Sequence, residues 1–136
     1  MNGVGQYRES EVVTARGARL IVVAYDGALT FLYRARRAFE MGAPQEAPPQ
    51  IFRAKRVVLY LLSTLDPSAG EVVSNLSRLY TYAIRRLAEA AIERDAAALD
   101  EAIKILSELR SAWNQVAESE AVAVTPEVDS ALSLTG

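Results

Sequence analysis

Residues 75–87, reading NLSRLYTYAIRRL, have the pattern of one helix with apolar and aromatic side chains on more than one face. One stripe runs Leu76, Tyr80, Ala83, Leu87, and a neighbouring stripe runs Asn75, Leu79, Tyr82, Arg86. At about 3.6 residues per turn, Tyr80 and Tyr82 point roughly 200° apart. The two rings cannot enter the same core. A small domain with such a helix either sandwiches it between neighbours or keeps one face for a partner.

The chain has 136 residues, enough for one domain with a real core, and is 51% hydrophobic, which argues against disorder. Fifteen basic and 17 acidic residues give a net charge of −2, so no global field draws the chain to nucleic acid or to an anionic membrane. Local basic clusters (Arg34, Arg36, Arg37; Arg53, Lys55, Arg56; Arg85, Arg86) read as solvated helix faces. Histidine and cysteine are both absent. That removes zinc sites built on them, thiol nucleophiles, disulfides and Ser–His–Asp chemistry. The two lysines, Lys55 and Lys104, follow no glycine-rich phosphate loop. Glu89, Glu93, Asp100 and Glu101 sit on polar faces without convergent partners, so no catalytic set can be assembled. The expectation is a non-enzyme without cofactor or metal. No basic segment followed by a long apolar core opens the chain, and the apolar run 20–25 is broken by Asp26, so neither a secretory signal nor membrane insertion is expected. A cytosolic protein fits. The Asn75-Leu76-Ser77 sequon, mid-helix in such a protein, reads as chance.

Periodicity predicts four helices between two tails. Residues 1–15 form a mobile N-terminal segment with Tyr7 as its one large side chain. The first helix starts near Arg16, with Thr14 a candidate cap, and ends near Met41. Ile21, Ala24, Tyr25, Ala28, Phe31, Leu32, Ala35 and Phe39 recur on it at helical spacing. Gly42 is a stop, and the proline-rich stretch 42–50 is an exposed connection. A second helix begins at Pro49, with Ile51, Ala54, Val58, Leu61 and Leu65 inward. Asp66-Pro67-Ser68-Ala69-Gly70 is turn chemistry. The third helix spans about 70–94. Asp95 is a candidate N-cap for the fourth, at a tight corner. Leu99, Ala102, Ile103, Leu106, Leu109, Trp113 and Val116 face inward there, and the helix fades near Ala117. The tail 119–136 is disordered or forms a short helix after Thr125-Pro126. The domain at 16–118 is therefore an all-α antiparallel four-helix bundle with flexible terminal segments.

Several strings carry a resemblance. Thr14-Ala15, then Leu20-Ile21-Val22-Val23 and Tyr25-Asp26-Gly27-Ala28, resemble the opening of the flagellar secretion chaperone family, FliS. Leu65-Asp66, Gly70-Glu71, Asn75-Leu76, Leu79-Tyr80, Tyr82 and Arg86-Leu87 resemble its third helix. Asp95, Leu99, Leu109-Arg110 and Ala112-Trp113 resemble its fourth. Each string is weak, but the series in order is specific. Arg16-Gly17 stand where the family usually has Ser-Pro, and Ala83 stands where it often has Met.

The resemblance implies a cytosolic chaperone that binds the disordered C-terminal segment of flagellin, blocks premature polymerisation and hands the subunit to a component of the flagellar export gate. A guest helix would lay its anchors into grooves between bundle helices. Candidate groove residues are Val22, Asp26 and Leu29 on the first helix, in a stripe with Tyr33. Leu62 is the candidate on the second helix, which Val57, Leu59 and Tyr60 make apolar almost all round. Asn75, Leu79, Tyr82 and Arg86 are the candidates on the third. Leu76, Tyr80, Ala83 and Leu87 are assigned to the bundle core. The bland alternative for each second stripe is a half-exposed face. Tyr7 is a candidate plug on the groove when no guest is bound, against the alternative of an ordinary tail residue. The rival to the whole reading is a homodimeric bundle or adaptor whose extra apolar stripe is a self-interface.

Overall fold

A computed structural model describes the backbone of residues 3–135 and the side chains of residues 17–66 and 68–118. Four α-helices account for nearly all of it: α1 Gly3–Glu40, α2 Ala47–Ser63, α3 Glu71–Glu93 and α4 Ala96–Thr135. Short 3-10 turns at Pro44–Glu46 and Pro67–Ala69 precede α2 and α3. No strand occurs among the described residues.

Two units divide the chain: Ala24–Leu109, and Met1–Val23 together with Arg110–Gly136. The unit Ala24–Leu109 contains a stretch of every helix and is the antiparallel four-helix bundle. Its core takes Tyr25, Ala28, Leu32 and Ala35 from α1, and Ile51, Ala54, Val58 and Leu61 from α2. Tyr80, Ala83, Leu87 and Ala90 come from α3, and Ala98, Leu99, Ala102 and Leu106 from α4. The α2 set follows a 3-4-3 spacing, the pattern of a helix seated in a bundle seam. Alanine at so many core positions lets the helix backbones approach closely, while the few large side chains fill the layers between. Cross-links join the helices in pairs. Tyr25 of α1 meets Tyr80 of α3, Arg36 of α1 meets Asp100 of α4, Arg53 of α2 covers Phe31 of α1, and α2 packs along α3.

Local chemistry explains the corners. After α1 the amide of Gly42 bonds to the carbonyl of Phe39 at 3.2 Å and that of Ala43 to Ala38 at 2.9 Å, with Gly42 at φ 74°. This paired closure needs a left-handed residue, which glycine adopts without a Cβ penalty. The expected stop at Gly42 is therefore present. The expected irregular connection is not: a 3-10 turn leads into α2, which begins at Ala47, two residues before Pro49, with Ala47 fully buried. Proline in a first helical turn forfeits only an amide that has no partner there anyway, so Pro48 and Pro49 start the helix. Before α3, the Asp66 carboxylate accepts from the Ser68 amide at 3.0 Å and from the Ser68 hydroxyl at 2.7 Å. Those bonds hold its pKa below the ordinary 3.8.

Arg94 ends α3 in the left-handed region at φ 53°, and the next carboxylate caps α4. Asp95 Oδ1 accepts from the amides of Ala97 at 3.0 Å and Ala98 at 3.1 Å. The expected cap at Asp95 is thus present. Asp95→Ala leaves those donors without their acceptor and is expected to cost about 1 kcal/mol, within a range of about 0.5–2, in chemical denaturation of the full chain.

Two helix ends differ from expectation. Helix α1 begins at Gly3, well before Thr14, and α4 continues to Thr135 rather than fading near Ala117. A glycine such as Gly17 inside a helix costs about 1 kcal/mol against alanine, too little to stop one. No glycine follows Gly70 until Gly136, so α4 lacks a residue suited to a left-handed stop. In the unit formed by Met1–Val23 and Arg110–Gly136, Ala18, Val22 and Ala117 are buried, whereas Leu20, Val23 and Val116 are exposed. The expected inward Val116 gives way to Ala117, because a strict seven-residue reading drifts by about 20° per heptad on a straight helix.

Candidate partner-binding surface

The two stripes of α3 differ in burial. Tyr80, Ala83 and Leu87 are buried, and Leu76 is half-buried. The Tyr80 hydroxyl lies 2.6 Å from that of Tyr25, a hydrogen bond between α1 and α3 inside the core, with the rings tilted at 40°. A buried phenol needs such a partner, which is why this stripe can carry a tyrosine into an otherwise apolar interior.

The second stripe stays outside the core. Asn75 and Leu79 are exposed, Leu79 at 42%, and Tyr82 and Arg86 are half-buried. Val72, at 81% exposure, lies three residues before Asn75 and extends the run to Val72, Asn75, Leu79, Tyr82, Arg86. That 3-4-3-4 spacing places all five on one side of the helix. The stripe has two halves. At its N-terminal half Val72 and Leu79 offer apolar surface around Asn75, whose Oδ1 lies 3.4 Å from Arg78 Nη1. At its C-terminal half Tyr82 and Arg86 are tied to carboxylates. Tyr82 donates its phenol proton to Glu101 of α4, and Arg86 pairs with Glu89 one turn on and with Glu101 at 3.4 Å. Arg86 Nε is buried without a hydrogen-bond partner.

Glu89 and Glu101, which the sequence places on faces without convergent partners, in fact converge on Arg86. The Arg86–Glu89 pair is legible as an i,i+3 spacing. The reach of Glu101 across to α3 depends on how α4 lies beside it, which no local pattern encodes. The bond to Glu89, together with the nearby charge of Glu101, raises the Arg86 pKa. Glu101, as acceptor of its proton, raises that of Tyr82 from the ordinary 10.0. Because the folded-state value is the higher one, this bond stabilises the fold below pH 10.0 and is lost as the pH rises through the folded pKa. Glu101→Gln is expected to lower the Tyr82 pKa toward 10.0 in a phenolate absorbance titration and to reduce the extra loss of stability in alkali.

Beside this stripe a depression of about 420 Å³ follows α3, lined by Ser77, Arg78, Thr81, Tyr82 and Arg85. The Arg85 guanidinium lies 5.1 Å from the centre of the Tyr82 ring, so the ring is shared between a cation on its face and a carboxylate at its hydroxyl.

The candidates on α1 do not form an open stripe. Val22 and Leu29 are buried at 4% and 6% exposure, while Asp26 and Tyr33 are exposed. Val22 and Leu29 fall in step with Ala18, Tyr25 and Leu32, which widens the buried arc of α1 beyond the narrower stripe expected. On α2, Leu62 and Val57 are half-buried, and Leu59 and Tyr60 are exposed at 44% and 66%. Phe52, at 45%, adds to them and went unnoticed in the sequence, although it precedes Leu59 by two helical turns. The Tyr7 side chain lies outside the described residues.

A family model described as flagellar protein FliS matches residues 1–120. The chain is 37% identical to the flagellar secretion chaperone FliS of Salmonella typhimurium over 110 residues, covering 79% of this chain and 82% of that one. It is 36% identical to the flagellar secretion chaperone FliSB of Pseudomonas aeruginosa over 121 residues, covering 85% and 96%. With the flagellar secretion chaperone FliS of Bacillus subtilis it shares 29% over 114 residues.

Proposed function

The chain belongs to the flagellar protein FliS family, and from that premise we propose that it is an export chaperone for flagellin, working in the cytosol without catalysis. It binds the disordered C-terminal segment of flagellin, keeps that segment from polymerising and delivers it to the flagellar export apparatus. One observation carries this reading: Val72, Asn75 and Leu79 form an open run on α3 beside a core that is complete without them. A guest segment that becomes helical presents anchors at i, i+3 and i+7, the same spacing as that run. Ordering a disordered guest costs about 2–5 kcal/mol or more of the gross interaction energy, so a chaperone needs a long, shallow contact rather than a deep pocket. Such a contact is strong in sum and still releasable.

The polar half of the stripe has a distinct part in this reading. Tyr82 and Arg86, already bonded to Glu101 and Glu89, are fixed in position before a guest arrives. A preset rim costs less ordering on binding than free side chains do. The test is co-expression with the flagellin of the same organism, followed by size exclusion. The expected result is a discrete soluble complex. A chain that runs as a homodimer and leaves flagellin to aggregate refutes the proposal.

A further inference from the structure

A second surface of the bundle has a chemistry that the α3 stripe does not share. Phe31 of α1 is half-buried, and two arginines from different helices are set over its ring. The guanidinium carbon of Arg34, on α1, lies 5.8 Å from the ring centre, and that of Arg53, on α2, lies 6.0 Å from it. Both side chains are exposed. The charges of Arg36 and Arg86 are each offset by carboxylates, through Asp100 and through Glu89 with Glu101. Among the described residues no carboxylate pairs with Arg34 or Arg53. Arg37 and Arg56, each three residues further along its helix, are exposed too.

Like charges gathered at one ring repel each other. The ring face offsets part of that repulsion and holds each guanidinium in place by cation–π attraction. An anion meeting both would relieve the rest, and guanidinium forks match carboxylates two bonds at a time. The neighbours narrow the class of anion. Phe52 is exposed next to Arg53 in sequence, and Leu59 and Tyr60 are exposed two turns along the same helix. A free carboxylate or phosphate has no use for those side chains, whereas an amphipathic peptide does. Nucleic acid calls for a broad basic field, and the chain carries a net charge of −2.

We propose that Arg34 and Arg53, both set at the Phe31 ring, form a docking site for an acidic amphipathic segment of a second protein, separate from the flagellin-binding surface on α3. Carboxylates of the segment bind the two guanidiniums, and its apolar side chains cover Phe52 and Tyr60.

The test uses the full chain and fluorescence anisotropy. Its probe is a labelled synthetic helix with glutamates on one face and leucines beside them, run against a twin with glutamine in place of glutamate. The glutamate peptide is expected to bind about tenfold or more tighter than its twin, with an affinity that falls as salt is raised. The Arg34→Gln/Arg53→Gln variant is expected to lose about tenfold or more of that affinity, and Arg34→Lys/Arg53→Lys less, since the charge remains without the fork. The double glutamine variant is expected to keep its flagellin complex in co-expression. If it melts early, Arg34→Gln alone, which leaves α2 untouched, answers the same question. Equal binding of the two peptides, unchanged binding by the glutamine variants, or tighter binding of single-stranded DNA or phosphatidylserine vesicles overturns the proposal. So does loss of the flagellin complex together with the peptide, because one surface would then serve both.

Discussion

Tyr80→Ala is expected to destabilise the bundle by about 3–5 kcal/mol, the loss typical of emptying an aromatic site in a core. Tyr80 is 1% exposed and stands among residues of the same buried layer, so little can move in to fill the space. For a small domain that is a large share of the total stability. Tyr80→Phe separates the ring from the hydroxyl. It keeps the packing and removes the bond to Tyr25, for an expected loss of about 1 kcal/mol. Combining it with Tyr25→Phe is expected to cost less than the sum of the two single changes, by about 1 kcal/mol, because the shared bond can be lost only once. Urea denaturation of the unmodified chain and the four variants measures each quantity. Additive losses would mean that the 2.6 Å contact contributes nothing to holding α1 against α3.

Leu79→Glu is expected to leave the fold intact and to weaken the flagellin complex by about 2–4 kcal/mol, roughly 30- to 1,000-fold in affinity. Leu79 is 42% exposed, and glutamate is a good helix former, so stability should move by no more than about 0.5–1 kcal/mol. In the complex the same carboxylate would be pressed against an apolar guest without a partner, which is where the penalty arises. Titration calorimetry with the flagellin C-terminal segment reads the affinity, and a thermal melt reads the fold. A Leu79→Glu chain that binds as tightly as the unmodified one would move the guest away from this stripe. Val72→Glu, two turns earlier on the same side, is the matched substitution and should act in the same direction.

These two substitutions mark how much of the site was visible in the residues alone. Tyr80 and Tyr82 sit on opposite sides of any helix, so one inner and one outer tyrosine follows from the period of 3.6. Tyr80 belongs to the stripe with the purer apolar neighbours, and the structure buries it. Asn75 and Arg86 argue against burying the other stripe in a dry core, and there Asn75 and Leu79 are exposed while Tyr82 and Arg86 are half-buried. The same reasoning failed on α1. Val22 and Leu29 share a helical stripe with Asp26 and Tyr33, yet the first pair is buried and the second exposed. A helix that meets more than one neighbour buries an arc wider than one stripe, and the width depends on where those neighbours stand.

Helix number, helix phase, the Gly42 stop and the Asp95 cap all rest on interactions between residues a few positions apart, and for that reason the chain alone determines them. The lack of histidine and cysteine closes off whole classes of chemistry in the same way. Which carboxylate meets Arg86, which hydroxyl meets Tyr80 and which ring lies beneath Arg34 and Arg53 are facts of another kind. Glu101, Tyr25 and Phe31 come from other helices or other turns, and they arrive only when the bundle closes. Their positions depend on the rotation and offset of one helix against the next. A slide of two turns between neighbouring helices returns the same apolar stripe to the core and gives every polar group a different neighbour.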